Sequence, residues 1–305
     1  MLIDSHCHIA LLPDEQLKQA MNSNFVFMAT GGTHAENERL ISLKSKNFFN
    51  VLGVSPLEKC DLKKEKDLIS NNKPYAVGEI GLDFYWVRDK KQQEEQIEKF
   101  LEMLALAESL NLPVVVHSRN AEQRVLELLA EFHLPVLMHC FSGFDVSEVL
   151  KRDYLISIPP RINAQRKEII KNTPISNLLV ESDAPAIGGT FDALKSAELI
   201  SKIKELPLDD VVLNVNRNAK VFFGLGGCLF DFIKKIFCKR KNIALFIDGP
   251  NMIRPKEFKV DLQKVKTMVA SEGTVKISRV YLDQFASDKL IEAVVNQGYE
   301  PVIST

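Results

Sequence analysis

The sequence has little of what marks secreted, membrane-spanning or strongly charged proteins. Its five cysteines include no Cys-x-x-Cys pair and show no regular spacing, which argues against a disulfide framework. No secretory signal precedes the first apolar run, and no apolar run reaches the roughly 18 residues of a membrane span. We therefore expect a cytoplasmic protein with reduced thiols. The formal net charge of −1 supplies no overall attraction to nucleic acids or membranes.

The small net charge hides a difference between two parts of the chain. Residues 225–305 carry 13 Lys or Arg against 9 Asp or Glu, whereas residues 1–224 carry 26 against 31. A polyanion bound by the larger, acidic part must be held by local positive groups and by metal ions. At 305 residues and 46% hydrophobic content, the chain is long enough for one large domain and a smaller one.

Residues 1–224 alternate short β-rich runs with segments of helical periodicity, most clearly at 93–110. Eight strands alternating with helices predict a parallel (β/α)8 barrel, or TIM barrel. An open doubly wound sheet is the alternative, but no Gly-x-Gly-x-x-Gly follows the first strand to favour it. The predicted strands are 1–4, 25–30, 51–55, 76–80, 113–117, 136–139, 155–158 and 178–181.

Six residues of metal-binding type stand at the ends of five predicted strands: His6, His8, Glu79, His117, His139 and Asp183. The two histidines after the first strand share a face, because alternate side chains of a strand point the same way. Active sites of such barrels gather at the carboxyl ends of the strands, so we expect one cluster. Taken singly, each residue also has an ordinary explanation, as a buried histidine bonded to backbone or a carboxylate in a turn or helix cap.

Four imidazoles and two carboxylates exceed the ligands of a single catalytic zinc and favour two divalent ions roughly 3.5–4 Å apart. Glu79 is expected to bridge the two ions, and Asp183 is able to take up a proton from the attacking water. The ions would activate that water and hold the charge that develops on phosphoryl oxygens. One ion is assigned to His6, His8 and Asp183, and the other to His117 and His139.

Five motifs contain or adjoin these residues: Asp4-Ser5-His6-Cys7-His8, Gly78-Glu79-Ile80-Gly81-Leu82-Asp83-Phe84-Tyr85, His117-Ser118-Arg119, His139-Cys140-Phe141-Ser142-Gly143 and Glu181-Ser182-Asp183-Ala184-Pro185. In this order they resemble the motifs of the TatD family of metal-dependent deoxyribonucleases, within the amidohydrolase-type metal barrels. A closing segment, 218–223, resembles the usual end of that family. The resemblance implies hydrolysis of DNA phosphodiesters, often from the 3′ end, with Mg2+, Mn2+ or Zn2+, and all six metal-ligand positions carry the expected residue types.

Two loops depart from the pattern of that family. Residues 54–56 lack the histidine that usually precedes proline after the third strand, and residues 186–190 replace the usual Arg-Gly…Asn-Pro loop. The metal chemistry is therefore expected to be intact, while substrate recognition differs. Arg119 is a candidate phosphate clamp or a member of a structural ion pair. Tyr85 and Trp86 are candidates for stacking on a base or for packing on the rim.

Glycines 224, 226 and 227 mark a domain boundary. Residues 225–241 are predicted to form a basic amphipathic linker, which packs against a domain or lies on a membrane surface. Residues 242–305 predict a parallel α/β module, with strands at 242–247, 276–282 and 300–304 and helices at 261–270 and 287–296.

Residues 242–305 resemble the front part of an NYN domain, a PIN-like ribonuclease fold. Asp248 matches the first metal-binding aspartate of that family and Asn251 its neighbour, although Asp-Gly-Pro-Asn is also an ordinary turn sequence. Such domains need several acidic residues around the metal. We therefore expect a partial module with little nuclease activity, in a truncated or fused gene product.

Together these patterns favour a metal-dependent hydrolase, a DNase that acts from the 3′ end of its substrate. One alternative is a barrel that hydrolyses a small ester, lactone or amide, since such metal sites serve many substrates. Another is a nucleic-acid-binding fusion or scaffold protein whose basic C-terminal part does the binding. DNA is the expected partner, and RNA is a further candidate through the C-terminal module.

Overall fold

A computed structural model describes residues 1–143, 145–225, 242–248, 274–284, 286, 288–296 and 299–304. The chain divides into two compact units, Met1–Gly227 and Cys228–Thr305. Nearly all of the predicted linker, the predicted helix at 261–270 and Asn251 lie outside the described residues. Within the described ranges, no helix is long and apolar enough to cross a membrane.

The first unit is a barrel of eight parallel strands whose order in the sheet follows the chain, which confirms the predicted fold. The strands are β1 (Leu2–Cys7), β2 (Phe25–Thr30), β3 (Phe48–Leu52), β4 (Ala76–Asp83), β5 (Val114–Arg119), β6 (Val136–Met138), β7 (Leu155–Ile158) and β8 (Leu178–Val180). The helices are α1 (Asp14–Met21), α2 (His34–Ser42), α3 (Leu62–Asn72), α4 (Lys90–Leu110), α5 (Glu122–Leu129), α6 (Ser147–Lys151), α7 (Ala164–Asn172), α8 (Ala193–Lys204) and α9 (Leu208–Phe223).

The strands are nearly continuous apolar runs because both of their faces are covered. One core lies between the sheet and the surrounding helices. A second core takes inward-facing residues from most strands and the end of α9, including Phe222 and Phe223. Asn216 of α9 accepts a hydrogen bond from the Ile3 amide at 2.8 Å, and Asn218 donates to the Leu178 carbonyl at 2.9 Å. Helix α9 is thereby fixed at the amino-terminal ends of β1 and β8.

Four predicted elements of the barrel had boundaries that were wrong by three residues. Strands β1 and β4 extend to Cys7 and Asp83, beyond the predicted ends at residues 4 and 80, through pairing with β2 and β5. Strand β3 covers Phe48–Leu52 rather than 51–55, because its ladder with β2 begins where Phe27 pairs with Phe48. Helix α4 begins at Lys90 rather than at residue 93, since the Asp89 side chain caps it by accepting a hydrogen bond from the Gln92 amide. Pairing and capping, rather than local composition, set these limits.

Strands β1 and β8 meet through hydrogen bonds at their carboxyl ends. The His6 carbonyl accepts from the Asp183 amide at 3.0 Å, and the His8 amide donates to the Ala184 carbonyl at 2.9 Å. Asp4, fully buried in β1, accepts from the Ser182 amide at 3.0 Å, and burial raises the pKa of its carboxyl to about 8. These contacts hold the first and last strands of the barrel side by side.

The second unit contains a three-stranded parallel sheet in the order β11-β10-β9, within the part of the chain that the structure describes. Its elements are β9 (Asn242–Asp248), β10 (Thr274–Asp283), α10 (Asp288–Asn296) and β11 (Glu300–Ser304). Asp248 pairs with Tyr281 at the carboxyl end of β9. The core of the second unit includes Ile247, Val280, Leu282, Val294 and Tyr299. The predicted strands of this module are confirmed.

Candidate metal centre

The six predicted metal-binding residues meet at the carboxyl ends of the barrel strands. Four of them are buried, whereas His8 and His117 are partly exposed, so the cluster opens to solvent at this face. Five strands, or the residues directly after them, provide the side chains of His6, His8, Glu79, His117, His139 and Asp183.

The first ligand group consists of His6, His8 and Asp183 and joins the two ends of the barrel sequence. Nε2 of His6 and Nε2 of His8 lie 3.2 Å apart. Oδ1 of Asp183 is 3.7 Å from the His6 nitrogen and 3.8 Å from the His8 nitrogen. Oε2 of Glu79 lies 3.8 and 3.5 Å from the same two nitrogens. Four donor atoms therefore converge, as a divalent ion requires.

The second ligand group consists of His117 and His139. Nδ1 of His117 and Nε2 of His139 are 3.3 Å apart. Oε1 of Glu79 is 2.8 Å from the first nitrogen and 3.4 Å from the second. The two oxygens of Glu79 therefore face different ligand groups, as a bridging carboxylate would.

Glycines allow β4 to place Glu79 between the two groups. Gly81 has a φ of +143°, and a Cβ there would lie 2.0 Å from the His117 carbonyl oxygen. A Cβ on Gly53 would lie 2.3 Å from the Gly78 carbonyl carbon. Both contacts are shorter than any side chain tolerates, so β4 approaches its neighbours closely only because these residues are glycine.

The donor atoms fit cations. Two ring nitrogens that face each other at 3.2 or 3.3 Å are stable only with a proton or a cation between them. Each pair also faces a carboxylate oxygen, and imidazole with carboxylate is a donor set for divalent metals such as zinc. His6, His8 and Glu79 are placed so that they could hold one ion, and Glu79, His117 and His139 so that they could hold another. The residues present therefore fit two divalent cations.

The charges of the cluster agree with this fit. Burial lowers the pKa of His6 well below its usual value, which keeps its ring neutral and its lone pair free for a ligand bond. Burial also acts on His8, but hydrogen bonds and charge from Glu36 and Glu79 outweigh it and raise the His8 pKa to about 10. The carboxylates thus draw positive charge into the centre, and a metal ion supplies such charge in place of protons.

Carboxylates stand behind three of the four histidines, on the ring nitrogen turned away from the cluster. Such partners orient a metal-binding imidazole and fix its tautomer. Sequence reasoning missed this role: two of the carboxylates lie in recognised motifs, while the third lies on α2 without any local signal. The pairs are His117 Nε2 with Asp83 Oδ2 at 3.0 Å, His139 Nδ1 with Glu181 Oε2 at 3.5 Å, and His8 Nδ1 with Glu36 Oε2 at 3.5 Å.

Arg119 and Tyr85, the predicted substrate contacts, lie beside the cluster rather than in it. The guanidinium carbon of Arg119 is 4.1 Å from the centroid of the Tyr85 ring and 5.5 Å from the Trp86 ring. Arg119 is exposed and forms no ion pair with any residue that the structure describes, so the structural ion pair considered for it is absent there. The two aromatic rings meet edge to face at 4.9 Å.

Hydrogen bonds hold the two loops that depart from the family pattern, which follow β3 and β8, against neighbouring helices. Lys99 of α4 donates to the carbonyl oxygens of Ser55, Pro56 and Glu58 at 2.9, 3.0 and 2.6 Å. In the loop after β8, the Thr190 hydroxyl donates to a side-chain oxygen of α1 at 3.1 Å. Ser55 stands where the resemblance to the family led us to expect a histidine, so a hydroxyl takes the place of an imidazole in this loop.

A cleft of about 630 Å3 lies on the same face and is lined by residues that follow β4 to β7. Phe84, Asn120 and Ser142 belong to its lining, and Ser142 follows His139 by three positions. Glu122, Arg124 and Glu127 also line it, and Arg124 forms an ion pair with Glu127 at 3.2 Å, so the wall carries charges of both signs.

Comparison with known proteins identifies the family of the barrel. Residues 3–224 match the model of the TatD related DNase family, and residues 242–305 match the NYN domain model. The chain is 31% identical to Deoxyribonuclease TATDN3 of Homo sapiens, over 73% of this chain and 94% of that protein. It is 32% identical to an uncharacterized metal-dependent hydrolase of Methanocaldococcus jannaschii, over 72% of this chain and 96% of that protein.

A solved structure shares the fold of the barrel. The crystal structure of YJJV, a TatD homolog from Escherichia coli, superposes with a TM-score of 0.65 and 24% identity, covering 74% of this chain and 98% of that one. The motifs that suggested this family in the sequence are those whose side chains form the cluster. The chain therefore belongs, through residues 3–224, to the TatD related DNase family of metal-dependent hydrolases.

Proposed function

We propose that the barrel hydrolyses DNA phosphodiester bonds, releasing nucleotides from the 3′ end, with two divalent cations such as Mg2+, Mn2+ or Zn2+. The observation that carries the proposal is the placement of the two carboxylate oxygens of Glu79. Oε2 faces the first ligand group and Oε1 faces the second. Two-metal sites of this kind serve phosphoryl transfer because they clamp both the attacking and the leaving oxygen. The name of the human relative, a deoxyribonuclease, points the same way.

The assignment of ligands follows the distances. His6, His8 and Asp183 would hold one cation, His117 and His139 the other, and Glu79 would bridge them. Bound there, the cations would lower the pKa of a water and offset negative charge on the phosphoryl oxygens.

The side chains of the protein have separate tasks in this proposal. Asp183 lies at the edge of the first ligand group, where its carboxylate can take up the proton that the attacking water loses. Glu79 fixes the spacing of the two groups, and Asp83 holds the His117 ring in one orientation. Arg119, free of carboxylate partners in the described structure, donates to a phosphate of the substrate.

The experiment that tests the proposal is hydrolysis of 3′-labelled and 5′-labelled single-stranded DNA by the full-length protein. With Mg2+ or Mn2+, the 3′ label is expected to appear in mononucleotides first, and EDTA or Asp183→Asn to abolish release. Leu213→Ala, on the outer surface of α9, is the matched control and is expected to act like the wild type. DNA that stays intact while two metal ions bind per chain would rule out the DNase and leave a hydrolase of small esters, lactones or amides.

The remaining predictions concern the organisation of the chain. We propose domains at 1–224 and 242–305 joined by a linker at 225–241, with Asp248 as a metal-binding candidate and RNA as a partner of the second module. The position of Asp248 at the carboxyl end of β9 supports its assignment as a metal-binding candidate. A cytoplasmic location is supported by the free thiols of Cys7, Cys60 and Cys140.

A further inference from the structure

Trp86 is the only tryptophan of the chain, and it stands exposed beside the candidate metal centre. It lies in the turn that follows β4, three positions after Asp83. Its side chain keeps 63% of its surface accessible. An indole left in water next to a catalytic face forgoes the free energy of burial, which is the largest that any side chain can gain.

The turn that carries Trp86 is fixed to the metal centre. Oδ1 of Asp83 accepts hydrogen bonds from the Tyr85 amide at 3.1 Å and from the Trp86 amide at 2.9 Å. The other oxygen of the same carboxylate lies 3.0 Å from Nε2 of His117. One side chain therefore sets the position of a metal-binding imidazole and of the backbone turn that carries the exposed indole.

Trp86 is more open to a ligand than Tyr85, since 63% of its surface is accessible against 39% for Tyr85. The guanidinium carbon of Arg119 lies 4.1 Å from the centroid of the Tyr85 ring and 5.5 Å from that of Trp86, so the closer cation–π contact is with the tyrosine. Tyr85 in turn meets the indole edge to face, and such a contact leaves indole surface uncovered. Tyr85 and Arg119 thus support the indole from one side, and the cationic Arg119 favours an anionic ligand nearby.

We propose that Trp86 is the residue on which a nucleobase of the substrate stacks while the adjoining phosphate enters the metal centre. This rests on the proposed function, which makes the substrate a nucleic acid. A flat, rigid indole next to a guanidinium that forms no ion pair among the described residues suits a group that joins an aromatic ring to a phosphate. The base must be unpaired, since a base inside a duplex is already stacked on its neighbours. Of the two aromatic residues that the sequence suggested for this contact, Tyr85 and Trp86, the assignment selects Trp86.

The sole tryptophan makes the test direct, because all indole emission of the full-length protein comes from Trp86. The probes are a short single-stranded oligothymidylate and an abasic strand of the same length and charge, titrated in EDTA and, with Glu79→Gln, in Mg2+. The oligothymidylate is expected to quench the emission in a saturable way and the abasic strand to leave it unchanged. Equal quenching by both strands, or by neither, would overturn the proposal.

Variants measure the strength of the contact by anisotropy of dye-labelled strands. Trp86→Leu is expected to weaken binding of oligothymidylate by about 5- to 150-fold, the range that one base–aromatic stack supplies, and to leave abasic binding unchanged. Trp86→Phe, which keeps an aromatic face, should restore most of the loss. Leu213→Ala, equally exposed at 68% but on α9, is the control and should change neither. Unaltered oligothymidylate binding by Trp86→Leu would contradict the proposal.

The outcome is separable from that of the proposed function. Base-dependent quenching without any DNA hydrolysis would overturn the DNase and retain the stacking residue. Hydrolysis without base-dependent quenching would retain the DNase and reject the role of Trp86.

Discussion

The two ligand groups of the metal centre are held in place by different parts of the structure. The first depends on backbone contacts between strands at opposite ends of the barrel sequence, such as the bond from the Asp183 amide to the His6 carbonyl. The second depends on carboxylate side chains behind its imidazoles, above all Asp83 at 3.0 Å from His117. Only Glu79 belongs to both.

This difference indicates which changes would displace the ligands of each group. Damage to the closure of the barrel displaces whole strand ends, so the first group is coupled to the stability of the fold. Loss of a carboxylate behind the second group leaves the pairing of the strands in place and releases one imidazole to rotate. The first group should therefore be rigid by construction, and the second should be sensitive to single side-chain changes.

The largest effect is expected from Glu79→Gln, which removes the residue common to both groups. The amide keeps the shape of the side chain but loses the charge that faces four imidazole nitrogens. Activity should fall by more than about 100-fold, since even residues that only orient ligands cost about 10–100-fold. Metal content measured on the dialysed protein should fall at both groups. A variant that retained one full equivalent of tightly held metal would show that Glu79 serves a single group.

Asp83→Asn is expected to act on the second group alone. The asparagine amide can present an N–H, in place of an acceptor, to Nε2 of His117, which disturbs the tautomer of the ring. Metal affinity at one of two sites should drop by about 10–100-fold, as followed by competition with a chelator. Equal weakening of both sites would mean that the two groups are not held independently.

Asp4→Ala tests the closure that supports the first group. The buried carboxylate accepts from the amides of His6 and Ser182 at 3.2 and 3.0 Å, and its removal leaves both without a partner. Each unpaired buried amide costs about 1–3 kcal/mol of stability, measurable as a lower urea midpoint. Asp4→Asn, which keeps an acceptor oxygen, is the matched control and should lose less. An alanine variant as stable as the wild type would show that Asp4 does not contribute to the closure of the barrel.

The smallest effect is expected from Glu36→Gln. Glu36 lies 3.5 Å from Nδ1 of His8, farther than Asp83 lies from His117, and the backbone already fixes His8 through its bond to Ala184. Metal affinity at the first group should therefore change by less than about 10-fold, below the range of well-placed partners. A loss as large as that of Asp83→Asn would erase the distinction between the two groups.

Sequence reasoning recovered the barrel and the cluster for a simple physical reason. Strands buried on both faces consist of apolar runs, so residues of metal-binding type are easily recognised where such runs end. Because parallel strands of a barrel share one carboxyl face, His6 and Asp183 are neighbours in space although 177 positions separate them. The alternation of strands and helices therefore sufficed to predict that all six residues meet.

Other features have no local signature, and only the tertiary structure decided them. Which oxygen of Glu79 faces which imidazole depends on how closely β4 approaches β3 and β5. Glycines at the contacts between these strands set that distance. Glu36 lies on helix α2 and reaches His8, which directly follows strand β1, so no spacing in the sequence reveals the pair. Arg119 lies closer to the Tyr85 ring than to the Trp86 ring because the ends of β4 and β5 meet side by side. The sequence alone determined which residues gather, since that follows from strand order, and the fold determined how their atoms pair, since that depends on packing between distant segments.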